Sequence, residues 1–229
     1  ALVLEHVIRV AKPTTVVFST FGVREGLLYS KLPDGERAQD GLLCAAQGLN
    51  ELLSRSAQHA RELMEWTDRL FRVVHIRETE EERRLRHAAC LMSDIGWRMH
   101  PDHRGEQAYG IILNGNFGSI SHEGRIFAAL SVFFRYEGLG DEAKPPALTE
   151  QLSPAQIDRA RLLGTAFRVA HLISAARPGV LPATHFRTQD RKLMLVFEHQ
   201  MVDLVADRVG GRFKQLARLV GRSGSIVRS

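Results

Sequence analysis

Hydrophobic positions recur at helical spacing over most of the chain. One face of a predicted helix is marked by positions at intervals of four, three and four residues, namely His59, Leu63, Trp66 and Leu70. Helical periodicity, interrupted by turns, extends over residues 39–177. This part of the chain is therefore predicted to form a bundle of α-helices.

Two helices in this region carry clear end signals. The helix predicted over residues 80–92 begins with three acidic residues and continues with arginines, the charge order that a helix dipole favours. Ser153-Pro154-Ala155-Gln156 has the form of a capping box with proline at the first helical position, and predicts a helix to about Ala176. Because this second helix is apolar nearly all round, we expect it in the middle of the bundle.

The first 31 residues are predicted to form a helix, a strand and a second helix. Residues 2–10 are apolar at helical spacing, and residues 14–19 are β-branched or aromatic, as in a strand. A strand of this kind is not stable alone, so we expect it to belong to a larger sheet. The chain starts inside an apolar helical pattern without an initiator Met, as a truncated fragment would, and residues 33–36 form a turn typical of a domain boundary.

After Gly179 the pattern changes to that of a small α/β unit. Strands are predicted at residues 185–187 and 192–197, joined by a short turn. Helices are predicted at residues 201–209 and 212–220, with an interruption at the two glycines between them.

Composition narrows the class of protein. With 44% hydrophobic and 25% charged residues the chain is an ordinary globular one, and no apolar run approaches the about 18 residues that span a bilayer. The net charge of +5 favours a polyanionic partner, although it also serves solubility alone. Cys44 and Cys90 lie in apolar helical stretches, are expected to be buried, and fit a reducing cytoplasm.

Three stretches, taken in chain order, resemble one enzyme family. The first contains Gly22-Val23-Arg24-Glu25-Gly26, the second is the helical core around Cys90-Leu91-Met92-Ser93-Asp94-Ile95-Gly96, and the third is the α/β stretch beyond Gly179. Together they resemble the exopolyphosphatase/guanosine pentaphosphate phosphohydrolase (Ppx/GppA) family over nearly the whole chain. The helical core by itself resembles an HD-type phosphohydrolase domain.

The resemblance implies a mainly α fold in three parts. Residues 1–31 would be the remnant of an actin-like (ASKHA) α/β domain, residues 32–178 an HD-like helical domain, and residues 179–229 a small α/β C-terminal domain. The family's phosphate-binding loops and catalytic glutamate belong to the actin-like domains upstream of Ala1. No catalytic residue and no cofactor is therefore assigned to this chain, which is expected to be inactive alone.

For the intact enzyme, the resemblance implies hydrolysis of the terminal phosphate of inorganic polyphosphate or of guanosine pentaphosphate (pppGpp). It also implies Mg²⁺ as cofactor and the bacterial cytoplasm as location. The expected partners are the substrate, the missing N-terminal actin-like domains and a second copy in a homodimer, without a membrane. This part is expected to serve substrate channelling and dimerisation.

The HD-like core departs from the pattern of active HD hydrolases, which bind metal through a histidine, a His-Asp pair and a later aspartate. His59 and Asp94 match the first histidine and the paired aspartate. Ser93 replaces the second histidine, and His171 stands where an aspartate is expected. A neutral hydroxyl is a weak ligand, so no metal site is predicted. His59 is instead expected to be a hydrogen-bonded core residue, and Asp94 a helix cap or the partner of an arginine.

Basic residues are the candidates for substrate binding. Arg24, next to Glu25 in a glycine-flanked turn, is predicted either to take part in a structural ion pair between domains or to reach a phosphate cleft. Arg98, Arg104 and Arg135 lie in or beside the HD-like core and are candidates for the lining of a polyanion groove. An exposed basic rim is the alternative for these three.

A second basic group lies near the C-terminus. From Arg208 onward the chain has no acidic residue, and the spacing of Lys214 and Arg218 places charges on neighbouring helix turns. Arg212, Lys214 and Arg218 are expected to be exposed and to bind phosphate groups with counterion release. A solvated helix face is the alternative.

Two other classes of function stay open. One is an autonomous HD-type nucleotide phosphohydrolase, which Ser93 argues against. The other is a non-enzymatic module that binds polyanions or nucleic acid, which the lack of a recognised aromatic stacking or helix-turn-helix signature disfavours.

Overall fold

The structure is a computed structural model that describes residues 2–16, 21–140, 146–198 and 207–228. The chain divides into two compact units, residues 1–39 and 40–229. Within the described residues, no helix is long and apolar enough to cross a membrane. The domain limits predicted from the sequence stay predictions.

The first unit contains three helices among its described residues: α1 (Leu2–Ala11), α2 (Val23–Ser30) and α3 (Asp34–Arg37). The turn into α2 is closed by Glu25, whose carboxylate accepts a hydrogen bond from the Gly22 N–H at 2.7 Å. The predicted strand is not seen at residues 14–16, and residues 17–19 of that prediction lie outside the described part. The actin-like remnant therefore stays a prediction.

The second unit combines a helical bundle with a three-stranded sheet. The described helices are α4 (Gly41–Leu53), α5 (Ala57–Val73), α6 (Glu80–Leu91), α7 (Arg104–Asn114), α8 (His122–Glu137), α9 (Pro154–Ser174) and α10 (Asp207–Leu219). The strands are β1 (Thr184–Gln189), β2 (Lys192–Phe197) and β3 (Ser223–Arg228). β1 pairs with β2 in antiparallel fashion, and β2 pairs with β3 in parallel, with α10 between these two strands along the chain.

Side-chain caps fix where the helices begin. The side-chain oxygen of the residue before the helix accepts a backbone N–H at the starts of α4, α5, α6, α8 and α9, from Asp40, Ser56, Thr79, Ser121 and Ser153 respectively. Each such cap stabilises its helix by about 1 kcal/mol. The helices predicted from the acidic first turn and from the capping box are confirmed as α6 and α9.

The core lies between the helices, and α9 runs through its middle. The predicted face of α5 is buried at all four positions, and α9 is buried on most of its sides, as expected. At Gly164 an added Cβ would lie 2.5 Å from Cβ of Phe134 and 2.7 Å from the carbonyl oxygen of Ser131, so this glycine lets α8 and α9 touch. Cys90 is buried, but the burial predicted for Cys44 is wrong, because it lies on the side of α4 opposite the buried residues.

The C-terminal part differs from the prediction in two ways. The two predicted strands are confirmed as β1 and β2, but β3 was not predicted. The interruption predicted at Gly210 and Gly211 is wrong, because α10 continues through both glycines. Their lack of side chains is compensated by a buried stripe of apolar residues on the same helix: Val209, Phe213, Leu216 and Ala217. The part of the predicted helix over residues 201–206 lies outside the described residues.

The sheet is attached to the bundle through α5. Indole Nε1 of Trp66 donates to Oγ1 of Thr184, the first residue of β1, at 2.9 Å. The carboxylate of Glu62 accepts the backbone N–H of Gly179 at 2.9 Å. Both contacts are buried or partly buried, so the sheet and the bundle share one core.

Candidate functional site

The four positions of the predicted degenerate metal site lie together in space. The rings of His59 on α5 and His171 on α9 are 4.8 Å apart, centroid to centroid. Ser93 lies in the turn after α6, and its hydroxyl oxygen is 3.1 Å from Nε2 of His171. The other ring nitrogen of His171 lies 3.9 Å from Oδ1 of Asp94, which is too long for a hydrogen bond. The structure thus brings the four residues into one cluster, called the histidine–aspartate cluster below.

Both histidines of this cluster are neutral at neutral pH. Burial lowers the pKa of His59 to about 4, and Nε2 of this ring lies 2.7 Å from Oγ of Ser174. Burial also lowers the pKa of His171 well below its ordinary value, and the nearby positive charge of Arg135 acts in the same direction. His59 is therefore a hydrogen-bonded core residue, as predicted, and it ties α5 to α9.

Asp94 is bound by two arginines, which confirms the arginine pairing predicted for it. Oδ1 accepts from Nη2 of Arg135 at 2.6 Å and from Nη2 of Arg55 at 2.8 Å. Oδ2 accepts from Nε of Arg55 at 2.9 Å and from its backbone N–H at 3.2 Å. Burial alone would raise the pKa of Asp94, but the hydrogen bonds and charge of Arg55 and the charge of Arg135 outweigh it, so the carboxyl is ionised.

These contacts do not fit a divalent metal. A metal would need lone pairs of Asp94 that the two guanidinium groups already occupy, and Ser93 supplies only a hydroxyl bound to His171. In the part of the chain that the structure describes, no three His, Cys, Asp or Glu side chains are grouped so as to hold a metal ion. Positive charge is supplied to Asp94 by arginines instead.

A cavity of about 980 Å³ opens beside the histidine–aspartate cluster, with His171 and Arg135 in its wall. Among the described residues its lining contains no acidic side chain and seven arginines: Arg55, Arg104, Arg135, Arg168, Arg208, Arg212 and Arg218. They come from the turn before α5, from the start of α7, and from α8, α9 and α10. This cavity is called the arginine cavity below.

Neutral groups orient several of these arginines. Arg168 donates from Nη1 to the carbonyl oxygen of Tyr136 at 2.7 Å, and Nε of Arg104 donates to the carbonyl oxygen of Met99 at 2.9 Å. Arg212 donates to the side-chain amide oxygen of Gln215 at 3.3 Å. Hydrogen bonds of this kind fix a guanidinium group without neutralising it, so the charge stays available to an anion.

Arg86 on α6 shows what a neutralised buried arginine looks like in the same unit. Its Nη2 donates to the carboxylates of Asp68 and Glu78 at 2.7 Å each, and its Nη1 donates to Oγ1 of Thr67 at 2.8 Å. Burial of the charge is thereby compensated by two acids. Of the arginines in the arginine cavity, Arg55 and Arg135 are paired with a carboxylate, and they share a single one, Asp94.

The structure brings together some of the predicted binding residues and separates others. Those in the wall of the arginine cavity are Arg104, Arg135, Arg212 and Arg218. Arg98 and Lys214 are not in its lining: Arg98 stacks on the ring of Trp97 at 5.1 Å, and Lys214 is exposed on α10. The exposure expected for Arg212 is wrong, because this side chain is half-buried in the wall.

Arg24 lies in the first unit, with an exposed side chain. Its Nε is 3.3 Å from a carboxylate oxygen of Glu25. The contact joins neighbouring residues of the first unit, so both predicted roles of Arg24, an ion pair between domains and the binding of phosphate, stay predictions.

The sequence did not point to Arg55 or Arg168. Arg55 stands in a short turn between α4 and α5, and its partner Asp94 lies 39 residues away, so no local pattern shows the contact. The sequence does carry a signal for Arg168, because this charge lies between buried residues in the middle of α9. A buried charge of that kind needs a partner, and here the partners are carbonyl groups at the end of α8.

Comparison with protein-family models shows which family the chain resembles. The model described as exopolyphosphatase, C-terminal, matches residues 42–227, which include the whole histidine–aspartate cluster and the arginine cavity. A search of curated proteins found no matching sequence.

Proposed function

Because the chain belongs to the exopolyphosphatase C-terminal family, we propose that it is the substrate-binding part of a bacterial exopolyphosphatase. In this proposal the arginine cavity binds inorganic polyphosphate and guides it to a catalytic site in actin-like domains, where Mg²⁺ and a glutamate act. The intact enzyme releases the terminal phosphate, works in the cytoplasm and forms a homodimer.

The observation that carries the proposal is the charge balance of the arginine cavity. Among the described residues, seven arginines line the cavity, and only two of them, Arg55 and Arg135, pair with a carboxylate, that of Asp94. A chain of phosphates carries closely spaced negative charges and accepts hydrogen bonds along its whole length. Arginine binds such oxygens in bidentate fashion, and neutralising them releases condensed counterions, which favours association.

Hydrolysis itself is assigned in this proposal to the actin-like domains of the intact enzyme. The described residues offer two neutral, buried histidines and a carboxylate held by arginines, and none of these is placed to activate a water molecule. Phosphoryl transfer depends on positioning phosphate, metal and nucleophile together. An autonomous HD hydrolase is disfavoured on the same ground.

A nucleotide is a less suitable occupant than polyphosphate. Trp97 lies in the cavity wall, but the guanidinium groups of Arg55 and Arg98 stack on its ring at 5.8 and 5.1 Å. An aromatic ring already engaged by cations is not a free platform for a base. This observation favours polyphosphate over pppGpp and over single-stranded nucleic acid.

Binding of long-chain polyphosphate by the whole chain tests the proposal. The variant Arg168→Gln removes one cavity charge while keeping a hydrogen-bond donor, and we expect roughly tenfold weaker binding, since a charge-assisted hydrogen bond contributes about 1.5–3 kcal/mol. The matched control is Arg161→Gln on the same helix, outside the cavity lining and half exposed, which should bind normally. Equal loss in both variants, or tighter binding of DNA than of polyphosphate at the same salt concentration, would contradict the proposal.

A further inference from the structure

Two guanidinium groups converge on one buried carboxylate at the wall of the arginine cavity. Nη2 of Arg55 and Nη2 of Arg135 both donate to Oδ1 of Asp94, at 2.8 and 2.6 Å. Asp94 is 3% exposed, so this carboxylate does not face the cavity, whereas both arginines do. Asp94 therefore contacts the cavity through the two arginines that it holds.

The position of Asp94 is itself fixed by the chain around it. Two residues later, the Gly96 N–H donates to the hydroxyl of Tyr136 at 3.0 Å. A Cβ at this glycine would lie 3.1 Å from the Tyr136 ring and 3.1 Å from the carbonyl oxygen of Arg104, so the turn is packed without spare room. The guanidinium group of Arg135 stacks on the same tyrosine ring at 4.1 Å.

The two arginines depend on Asp94 to different degrees. Arg135 is 8% exposed and its Nε has no partner among the described residues, so its charge is buried with Asp94 as its acidic partner. Arg55 is about one-third exposed and also contacts the carbonyl oxygen of Ala175 at 3.4 Å. Without the carboxylate, two like charges would face each other in a partly dry space and would move apart.

We propose that Asp94 is a positioning residue of the polyphosphate site: its buried carboxylate fixes the guanidinium groups of Arg55 and Arg135 so that their remaining N–H groups meet phosphate oxygens in the cavity. This rests on the function proposed above. A former metal-ligand position thereby serves anion binding, because the acid that would hold a cation holds two arginines. Asp94 touches no substrate atom and acts through its partners.

The substitution Asp94→Asn separates positioning from simple electrostatics, because the two predict opposite changes in the affinity for polyphosphate. Losing a negative charge raises the net charge by one, so electrostatics alone tightens the binding of long-chain polyphosphate. If Asp94 positions the arginines, binding weakens by at least roughly tenfold, since two charge-assisted contacts lose their geometry. The slope of log affinity against log salt concentration should also become shallower, as fewer phosphates are neutralised.

Asp158→Asn is the matched control. It adds the same charge at an exposed position on α9 whose partner, Arg161, is outside the cavity lining. This variant should bind polyphosphate as the unmodified chain does or slightly more tightly. Asp94→Asn binding as tightly as Asp158→Asn, with the same salt slope, would overturn the inference.

A second variant covers the case in which Asp94→Asn does not fold. Arg55→Lys keeps the positive charge at a partly exposed position. It loses the planar guanidinium group, whose several N–H donors can bind Asp94 and a phosphate at the same time. Positioning predicts roughly tenfold weaker binding of polyphosphate for this variant, and unchanged affinity would overturn it. Failure of the unmodified chain to bind polyphosphate would instead refute the proposed function, whereas normal binding by Asp94→Asn and Arg55→Lys beside weakened Arg168→Gln refutes only the role of Asp94.

Discussion

Ser93 and His171, the two positions at which this chain departs from the HD metal-ligand pattern, are hydrogen-bonded to each other, Oγ to Nε2, at 3.1 Å. Each therefore satisfies a buried polar group of the other. The two positions are thus joined by a direct hydrogen bond, and the neighbouring carboxylate of Asp94 is bound by arginines.

The first prediction concerns metal content. We expect no stoichiometric transition metal in the purified chain, because Ser93 is a poor ligand and Asp94 is already bound by two arginines. Elemental analysis of protein prepared without chelator is the measurement. One tightly held metal per chain that disappears in His59→Ala or Asp94→Asn would show that the cluster is still a metal site.

The second prediction concerns catalysis. The chain by itself should release no phosphate from long-chain polyphosphate in the presence of Mg²⁺, because the histidine–aspartate cluster offers two neutral, buried histidines and a carboxylate held by arginines. A phosphate-release assay before and after a further purification step decides this. Turnover that copurifies with the chain would restore the autonomous-hydrolase interpretation.

The third prediction separates the wall of the arginine cavity from the exposed face of α10. Arg212→Glu combined with Arg218→Glu should weaken polyphosphate binding by more than roughly a hundredfold, since two attractive contacts become repulsive. Lys214→Glu lies on the same helix outside the lining and should cost much less. Titrations at several salt concentrations measure both. An equal loss of affinity per reversed charge in both variants would mean that polyphosphate responds to the overall positive charge of α10 and not to the cavity wall.

The fourth prediction concerns the contact between α8 and α9. Gly164→Ala should destabilise the fold by about 1–3 kcal/mol, because its Cβ would meet the Ser131 carbonyl and Phe134 at under 3 Å. Gly110→Ala on α7 is the matched control: nothing lies within 4 Å of its added Cβ, so helix propensity should stabilise it by up to about 1 kcal/mol. Denaturant unfolding measures the change in the free energy of unfolding for both variants, which should be opposite in sign. A Gly164→Ala variant as stable as the unmodified chain would show that α8 and α9 separate easily.

The fifth prediction concerns pH. Burial lowers the pKa of His59 from 6.5 to about 4, so between these values the unfolded chain binds a proton that the folded chain does not. The free energy of unfolding should therefore fall as the pH is lowered, by about 2 kcal/mol between pH 7 and pH 5 through this residue. His171 acts in the same direction. Denaturant unfolding at several pH values tests this, and a His59→Gln variant with an unchanged pH slope would contradict it.

Elements that are encoded by local sequence signals could be predicted, and elements that depend on tertiary contacts could not. The starts of α6 and α9 are encoded by the residues that cap them, and β1 and β2 by a short hairpin pattern. β3 begins with Ser223, Gly224 and Ser225, which lack strand character, and it exists because it pairs with β2, about 30 residues earlier. The glycines of α10 indicated a break, but packing of the apolar stripe against the sheet outweighs their propensity.

The candidate site shows the same division. His59, Ser93, Asp94 and His171 were grouped by resemblance to a known arrangement, and they are neighbours in the structure. The arginines that define the cavity come from turns and helices far apart in the chain, so their convergence depends on the tertiary fold. A count of basic residues predicted a polyanion partner, but it did not distinguish Arg212 in the wall from Lys214 outside it.

The positive charge beside Asp94 is carried by side chains of the protein itself, the guanidinium groups of Arg55 and Arg135. A site built around a divalent ion is emptied by a chelator and refilled according to the supply of that ion. Arg55 and Arg135 stay charged throughout the physiological pH range and cannot be extracted. If the proposed function holds, binding of polyphosphate by this chain should persist in EDTA, so that metal depletion would stop turnover in the intact enzyme while polyphosphate remains bound.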